Sequence, residues 1–382
     1  MTGADRSPST TGSSSLPTAA LDYDLPQHLI AMRPAEPRDS ARLLVVRRSG
    51  DSIEHRVVRD LPEYLAADDL LVFNDTAVAP ARLFARREET GGRLEGLFLE
   101  EIEKGRWRIM LKPARRLKPG HRLELTTLEG AAGEWALELE ANEGGEWIAR
   151  LDPPRPAEIV LNELGGTPLP PYIIRARRAG AKRFDDADDR RWYQTVYADP
   201  GRRGSVAAPT AGLHFTPALL KAIDKRGVQR RHVTLHVGPG TFKPISADTV
   251  GEHDMHAEWY EAPRGTIAAL RAAKERRAVG PAPTPRVLAV GTSTVRTLES
   301  LPDPLPPASD ASITGETELL IAPPYPFRYV DGMLTNFHLP RSTLLALVAS
   351  MIGLDRVLAV YREAVKREYR FYSYGDAMLI LP

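Results

Sequence analysis

Short apolar runs alternate along most of the chain with polar segments rich in Pro, Gly, Ser and Thr. Leu70–Phe73 and Val287–Val290 have the length of buried β-strands, and each runs straight into amide, carboxylate or hydroxyl side chains. Thr216 before a proline has the chemistry of a helix start, and Gly227 that of a helix stop. Polar loops at the carboxyl ends of strands form the ligand crevice of open α/β sheets. The pattern therefore predicts an α/β fold whose polar loops gather along one sheet edge.

The same pattern predicts further elements. The predicted strands include Arg42–Arg47, a proline-stiffened strand start at Leu169–Ile174, Val233–Val237, Leu319–Ile321 and Met333–Thr335, and the predicted helices include Ile267–Arg277 and Thr343–Ile352. The helix expected after Val290 begins in Gly291-Thr292-Ser293-Thr294. Its hydroxyls would cap the helix, or its free N–H groups would hold an anion, and both alternatives stay open.

Residues 82–151 show a different pattern, with short strand-like runs separated by Gly, Pro and charged turns. Evenly spaced short strands are typical of a small all-β barrel. We therefore predict an α/β fold in which a mixed sheet with flanking helices forms a large catalytic domain from residues 19–81 and 152–382. A small all-β barrel domain is inserted at 82–151, and the Ser- and Thr-rich residues 1–18 form a disordered tail.

Composition limits the function classes. The 382 residues include 51 basic and 50 acidic side chains, so a surface for nucleic acid requires a local segregation of charge. The absence of cysteine excludes disulfides and thiolate metal sites. No apolar run approaches the roughly 20 residues of a membrane helix, and no signal peptide is recognisable. We predict a cytoplasmic protein without membrane contact, and the balanced charge suggests a monomer.

Three imidazoles, His214, His236 and His338, lie at or beside strand ends, which predicts that at least one of them acts in acid–base chemistry. His253, His256 and Glu258 have the spacing H-x-x-H-x-E, which does not match a zinc helix, so we expect hydrogen-bonding or acid–base roles and no metal.

Several familiar motifs are incomplete. No P-loop occurs, and the sequence after Gly291 lacks the second glycine of a nucleophile elbow. Gly238-Pro239-Gly240 follows a strand, but the third glycine of a dinucleotide fingerprint is missing and no good helix start follows. A nucleotide-binding methyltransferase of ordinary type is therefore only the second choice.

A series of motifs in order along the chain carries a resemblance to a known family. The motifs are Asn74-Asp75-Thr76, Pro80–Leu83, Leu169–Ile173, Tyr193–Ala198, Gly204–Thr216, Leu235–Phe242, His253-x-x-His256-x-Glu258, Gly291-Thr292-Ser293-Thr294-x-Arg296, Thr335–Pro340 and Tyr374–Met378. From about Leu21 to Pro382 the chain resembles the S-adenosylmethionine:tRNA ribosyltransferase-isomerase family of queuosine biosynthesis. The position of Ala77 is commonly Arg in that family, and that of Pro324 commonly Gly.

The resemblance implies that S-adenosylmethionine is a co-substrate, with no further cofactor and no metal. Its ribosyl unit is transferred to the 7-aminomethyl group of a 7-deazaguanine base (preQ1) at the tRNA wobble position, giving epoxyqueuosine-tRNA, adenine and methionine. A base removes a C5′ hydrogen acidified by the sulfonium, adenine leaves, and the amine attacks C1′ while epoxide closure expels methionine. Transfer to a different amine acceptor and non-catalytic tRNA binding are the alternatives.

The resemblance also implies residue roles. The candidate catalytic residues are His214, His338, Asp75 and Glu258. The candidate substrate-binding residues are Asn74, Thr76, Arg82, Ser205, Thr210, Gly212, Phe215, His236, Gly238, Thr241, His253, His256, Thr292, Thr294, Arg296, Asn336, Phe337 and Asp376. Among these, Thr292 and Thr294 would hold the methionine carboxylate, and Phe215 and Phe337 would stack on a base. The candidate tRNA contacts are Arg115, Arg116, Arg177, Arg178, Lys182 and Arg183.

Overall fold

A computed structural model describes residues 15–182, 184–238, 240, 245–279, 284–307 and 311–382. The strands are β1 (Arg42–Arg47), β2 (Ile53–Val57), β3 (Leu70–Asn74), β4 (Ala77–Val78), β5 (Arg82–Arg87), β6 (Arg93–Glu103), β7 (Arg106–Lys112), β8 (Arg122–Thr126), β9 (Ala132–Glu143), β10 (Glu146–Asp152), β11 (Arg203–Ser205), β12 (Gln229–Leu235), β13 (Glu258–Ala262), β14 (Val287–Val290), β15 (Ile313–Thr317), β16 (Gly332–Asn336) and β17 (Ala377–Leu381). The helices are α1 (Ala157–Leu164), α2 (Pro171–Ala179), α3 (Asp186–Trp192), α4 (Pro217–Lys225), α5 (Arg264–Val279), α6 (Thr292–Ser300), α7 (Thr343–Ile352) and α8 (Leu354–Lys366).

The main sheet has nine strands in the order β15-β13-β12-β3-β14-β16-β17-β1-β2. Strands β12, β3, β14 and β16 run parallel, so their carboxyl ends lie at one edge of the sheet. Strand β17 is antiparallel to β16 and pairs Ala377 with Asn336, which brings the beginning of β17 to the same edge. The predicted gathering of polar loops along one edge is therefore confirmed.

The central strands are buried on both faces, which explains why they are continuous apolar runs in the sequence. Successive side chains of a strand point to opposite faces. Leu70 and Val72 therefore belong to the core that packs under α5, α6, α7 and α8, whereas Leu71 and Phe73 belong to the core on the side of α4. Helix α4 begins as predicted, because the Thr216 hydroxyl accepts a hydrogen bond of 3.1 Å from the Leu219 N–H.

The inserted segment forms a closed barrel of six strands in the order β10-β7-β6-β5-β8-β9, as the even spacing of its short strands predicted. Its core contains Trp107, Trp135 and Trp147, and helix α1 contributes Val160 and Leu161 to it. The barrel therefore has a hydrophobic core of its own, separate from those of the main sheet.

Two predicted elements are wrong. The segment predicted as a strand start at Leu169–Ile174 instead opens helix α2, because Pro171 occupies the first helical position, where its fixed φ favours a helix. Leu319–Ile321 is not a strand. The carbonyl of Leu319 accepts a hydrogen bond from Arg296, and its N–H donates to the Thr317 hydroxyl, so these groups are unavailable for pairing.

The packed chain begins before the predicted tail boundary at residue 18. Pro17 pairs with Thr249 and Thr18 is buried, while residues 1–14 of the predicted tail lie outside the described residues. Within the described ranges no single helix is long and apolar enough to cross a membrane. The pair α7 and α8 reaches that length and composition only together, across a bend of 111°.

Candidate active site

A cleft with an empty volume of about 500 Å³ opens at the carboxyl edge of the main sheet. We call it the edge cleft. Its walls come from the segment after β12, the beginning of β13, helix α6, the segment after β15 and the first turns of α7. The lining residues are Gly240, His253, Asp254, Met255, His256, Glu258, Arg296, Leu319, Leu320, Ile321, Thr343, Leu344 and Leu347.

A buried ion pair forms the polar wall of the edge cleft. Glu258 and Arg296 are each 6% exposed, and the Arg296 guanidinium donates to the Glu258 carboxylate. The other carboxylate oxygen accepts a 2.8 Å hydrogen bond from the Gly238 N–H. Arg296 also donates to the carbonyls of Leu319 and Thr317. The cleft therefore combines an oriented carboxylate and a fixed cation with apolar walls, as a ligand carrying charge on an otherwise apolar body requires.

His253 and His256 line the same cleft, so all three polar residues of the H-x-x-H-x-E segment come together there. In the described part of the chain, no group of three His, Cys, Asp or Glu side chains has the arrangement needed to hold a metal ion.

The loop after β3 ties neighbouring strand ends together. The Asn74 amide donates to the Leu235 carbonyl at 3.0 Å and to the Ser293 hydroxyl at 3.2 Å, and its oxygen accepts from the Leu235 and Thr76 N–H groups. Asp75 accepts a 2.7 Å hydrogen bond from Thr234, and burial raises its pKa. Neither Asn74 nor Asp75 lines the edge cleft.

His236 lies in an aromatic stack at the same sheet edge. Its Nδ1 is 2.9 Å from the Thr76 hydroxyl, and its ring stacks on Trp259 with ring centres 5.0 Å apart. Burial, and secondarily the Arg202 cation, lowers the pKa of His236. Trp259 is 37% exposed and was not predicted as a site residue. Its position directly after Glu258, in the H-x-x-H-x-E segment, is the sequence signal that could have indicated it.

His214 belongs to a cluster that is sealed from solvent, which we call the sealed cluster, with Asn336 and Asp376. Burial lowers the pKa of His214 to about 4, against the opposing effect of the Asp376 carboxylate. Asp376 accepts hydrogen bonds from Arg42 and from the Arg370 N–H, at 3.1 and 2.8 Å. The Asn336 amide donates to the Tyr372 carbonyl. The imidazole is therefore neutral near pH 7 and lies outside the edge cleft.

His338 is also buried outside the edge cleft. Its Nε2 is 2.7 Å from the Thr335 hydroxyl, and its N–H donates to the Tyr361 hydroxyl at 3.0 Å. Burial lowers the pKa of His338 to about 3. This imidazole is neutral at physiological pH and is held by the loop that leads to α7.

The hydroxyls at the start of α6 do not cap that helix, so the capping alternative is wrong. The N-cap is Gly291, with φ of 92°, and no side chain bonds to the first N–H groups. Thr294 instead donates to the Val290 carbonyl at 2.8 Å, within its own turn, and is fully buried. Thr292 is half-buried. The anion-binding alternative for this helix start stays a prediction.

The two aromatic side chains predicted to stack on a base are in the hydrophobic core. Phe215 packs edge-on against Phe73 at 5.1 Å, and Phe337 packs against Tyr361 at 5.3 Å, and both are fully buried. Their placement contradicts the predicted stacking role, because neither ring presents a free face.

The remaining predicted binding residues are spread over the fold. Ser205 is buried and donates to the Ala207 carbonyl at 2.6 Å, and Gly212 packs against Tyr197. Thr210 begins a short 3₁₀ helix. Arg82 lies on barrel strand β5 and pairs with Glu95 at 2.8 Å. Thr241 lies outside the described residues.

The predicted tRNA contacts differ in their exposure to solvent. Arg177 is buried and makes a two-pronged pair with Asp189, with distances of 2.6 and 2.7 Å, so its predicted phosphate contact is wrong. Arg178 and Lys182 are exposed, as are Arg115 and Arg116 on the barrel. Arg183 lies outside the described residues.

The mixed sheet with flanking helices and the inserted barrel define an α/β fold, and the edge cleft, which sets a buried carboxylate beside apolar walls, is its candidate ligand site. Comparison with known proteins identifies the family. The family described as "Queuosine biosynthesis protein" matches residues 18–380, and the chain belongs to it.

Curated relatives and a solved structure agree with this assignment. The chain is 48% identical over 367 residues to a protein of Gloeobacter violaceus, covering 96% of each chain, and 47% identical over 360 residues to one of Thermotoga maritima, covering 94% and 98%. Both are named S-adenosylmethionine:tRNA ribosyltransferase-isomerase. The 2.00 Å crystal structure of the S-adenosylmethionine tRNA ribosyltransferase of Thermotoga maritima matches with a TM-score of 0.51 and 37% identity, covering 95% of this chain and 100% of that one.

Proposed function

We propose that this chain is an S-adenosylmethionine:tRNA ribosyltransferase-isomerase. It transfers and isomerises the ribosyl unit of S-adenosylmethionine onto the 7-aminomethyl group of preQ1 at the tRNA wobble position, with release of adenine and methionine. The observation that carries this proposal is the convergence of separated motifs on one cleft. His253, His256, Glu258 and Arg296 come from two of the motifs and line the edge cleft together. The tRNA substrate supports the predicted cytoplasmic location.

The edge cleft suits the charge pattern of S-adenosylmethionine. The Glu258 carboxylate is complementary to a sulfonium cation, whereas Leu320, Ile321 and Leu347 offer apolar walls for the adenine. The uncapped N–H groups of α6, beginning at Thr292, are suited to the methionine carboxylate.

We assign the removal of the C5′ proton to Glu258. Of the four predicted catalytic residues, it is the one that lines the edge cleft, and His214, His338 and Asp75 do not line it. Deprotonation at C5′ drives rearrangement of the ribosyl unit with departure of adenine. The acceptor amine then forms a bond to C1′ and loses its proton, and closure of the epoxide breaks the bond to sulfur and releases methionine. Arg296 holds the carboxylate in position throughout.

The exposed arginines of the barrel, Arg115 and Arg116, supply charge for the tRNA backbone, and we propose that residues 82–151 act as a separate tRNA-binding domain. Arg178 and Lys182 extend the same charge to the sheet domain.

The test is incubation of the protein with S-adenosylmethionine labelled in the adenine ring and with tRNA carrying preQ1. We expect adenine release that depends on this tRNA, with the same tRNA lacking the aminomethyl group as the control. A methylated product, or no adenine release, would overturn the proposal. A protein that only bound tRNA would also fail to bind S-adenosylmethionine in a calorimetric titration.

A further inference from the structure

The segment after β12, which lacks the third glycine of a dinucleotide fingerprint, contacts two titratable side chains of the edge cleft. The Gly238 N–H donates to the Glu258 carboxylate at 2.8 Å. A Cβ added to Gly240 would be 2.3 Å from Cδ2 and 3.2 Å from Nε2 of His256, so only glycine leaves room for the imidazole at this position. The two glycines therefore hold Glu258 and His256 in the same cleft.

Glu258 and His256 differ in their access to solvent. Glu258 is 6% exposed, and its carboxylate is engaged by Arg296 and by the Gly238 N–H, whereas His256 is exposed. An imidazole exchanges protons readily near neutral pH, and an exposed imidazole can pass its proton directly to water. The edge cleft therefore contains two kinds of proton acceptor, one enclosed and one open to solvent.

The proposed reaction needs two proton acceptors. One proton leaves C5′ and is taken by Glu258. Another leaves the acceptor nitrogen, because a primary alkyl amine ordinarily stays protonated up to about pH 10 and has no lone pair for attack until that proton is lost. A carboxylate that holds the C5′ proton cannot take a second one, so a different group must accept the proton of the amine.

The charges that share the cleft with His256 suit a cationic amine. Asp254 is exposed, lines the cleft and makes no hydrogen bond or ion pair to the described residues. Arg296 is the one Arg or Lys of the described lining, and it donates to Glu258 and to two backbone carbonyls. The lining residues from α7 and from the segment after β15 carry no charge. An ammonium group that enters the cleft therefore meets the Asp254 carboxylate close to His256.

From these observations we infer that His256 is the base that deprotonates the acceptor amine in the edge cleft. An N–H bond of the ammonium breaks as the imidazole takes the proton, and the lone pair left on nitrogen forms the bond to C1′. The imidazolium then returns its proton to solvent. His253, the other imidazole of the cleft, is half-buried and is less suited to this exchange. This inference rests on the proposed function and adds the second base to it.

The test is the single-turnover rate of ribosyl transfer to preQ1-tRNA, measured from pH 7 to pH 9 with S-adenosylmethionine labelled in the ribose. We expect His256→Asn to lower this rate about 10²-fold at pH 7. Without the imidazole only amine already deprotonated by solvent reacts, so the rate of the variant should rise about tenfold per pH unit and approach that of wild type at pH 9. The wild-type rate should change less than about threefold over the same range.

Two matched pairs of variants control this experiment, with every rate normalised to the folded fraction measured by circular dichroism. His28→Asn makes the same substitution at an exposed histidine in a 3₁₀ helix far from the motifs of the cleft in sequence. Gly240→Ala displaces the imidazole of His256 and should steepen the pH dependence in the same direction. Gly265→Ala is its control, because an added Cβ there meets open space.

A His256→Asn rate that is unchanged, or that is lowered by the same factor at every pH, would overturn the inference. The steep pH dependence appearing in His253→Asn and not in His256→Asn would also overturn it. A wild-type protein that transfers no ribosyl unit at any pH would instead overturn the proposed function, so the two failures are distinguishable.

Discussion

The edge cleft and the sealed cluster are both built from polar residues at the same edge of the main sheet, yet they differ in access. Glu258 lines a cleft although it is only 6% exposed, whereas His214, Asn336 and Asp376 are buried and do not line that cleft. All of these residues were candidates because they lie at strand ends. That position tells where the strand backbone ends. It does not describe which side chain lines a cleft and which is enclosed by its neighbours.

The largest expected effect is on catalysis through the edge cleft. Glu258→Gln removes the carboxylate charge and leaves the buried Arg296 cation without its partner, so we expect the single-turnover rate of adenine release to fall about 10³-fold. The rate is normalised to the folded fraction measured by circular dichroism. Glu261→Gln is the control on the same strand, since Glu261 pairs with Arg202 and lies outside the cleft. A Glu258→Gln rate within tenfold of wild type would show that the carboxylate is not the base.

A smaller effect is expected from the sealed cluster, and on stability. Asp376→Asn weakens the hydrogen bonds from Arg42 and Arg370 to a fully buried carboxylate. We expect the free energy of unfolding in urea to fall by about 2 kcal/mol, with an unchanged slope against urea concentration and unchanged affinity for S-adenosylmethionine. A tenfold loss of that affinity at normal stability would instead make Asp376 a ligand-binding residue and would remove the distinction between the two sites.

A third expected effect, of similar size but confined to acidic pH, is the pH dependence of stability that comes from His214. Its folded pKa of about 4 lies below the ordinary value near 6.5, so below pH 6.5 the unfolded chain binds a proton that the folded chain does not. Stability therefore falls as the pH falls, by about 2 kcal/mol between pH 7 and pH 5 from this residue alone.

Urea titrations of wild type and His214→Gln across that range check this prediction. His338 contributes with the same sign because its pKa is also lowered, so the variant should keep part of the dependence and lose the share of His214. Identical pH dependence in the two proteins would mean that His214 is accessible to protons in the folded state, which contradicts its place in the sealed cluster.

The sequence predicted the fold class and the gathering of polar loops at one edge of the sheet. Both predictions rest on apolar runs, parallel strand order and helix caps, which are local or nearly local properties. The sequence could not predict toward which neighbours each side chain packs. Phe215 and Phe337 each adjoin a histidine in a polar loop, yet each side chain turns into the core against rings from distant segments. Arg177 belongs to a basic run, but Asp189 on the next helix neutralises it.

A pocket where the barrel joins the main sheet shows the same limit. Pro80 and Thr167 come from separate segments, and no pattern within either segment indicates that they face each other. Only the closure of the barrel, which brings Arg82 to Gly166, creates the pocket between them.

The strand order also determines which part of the chain can fold first during translation. The barrel strands follow one another within residues 82–152, so this part can fold soon after it leaves the ribosome. The main sheet cannot, because β17 lies between β16 and β1, and Arg42 meets Asp376 across 334 positions of sequence. Until residues 377–381 emerge, β1 and β16 are open edges that can pair with other chains. Translation that stops early therefore leaves a finished barrel attached to an unfinished, aggregation-prone sheet.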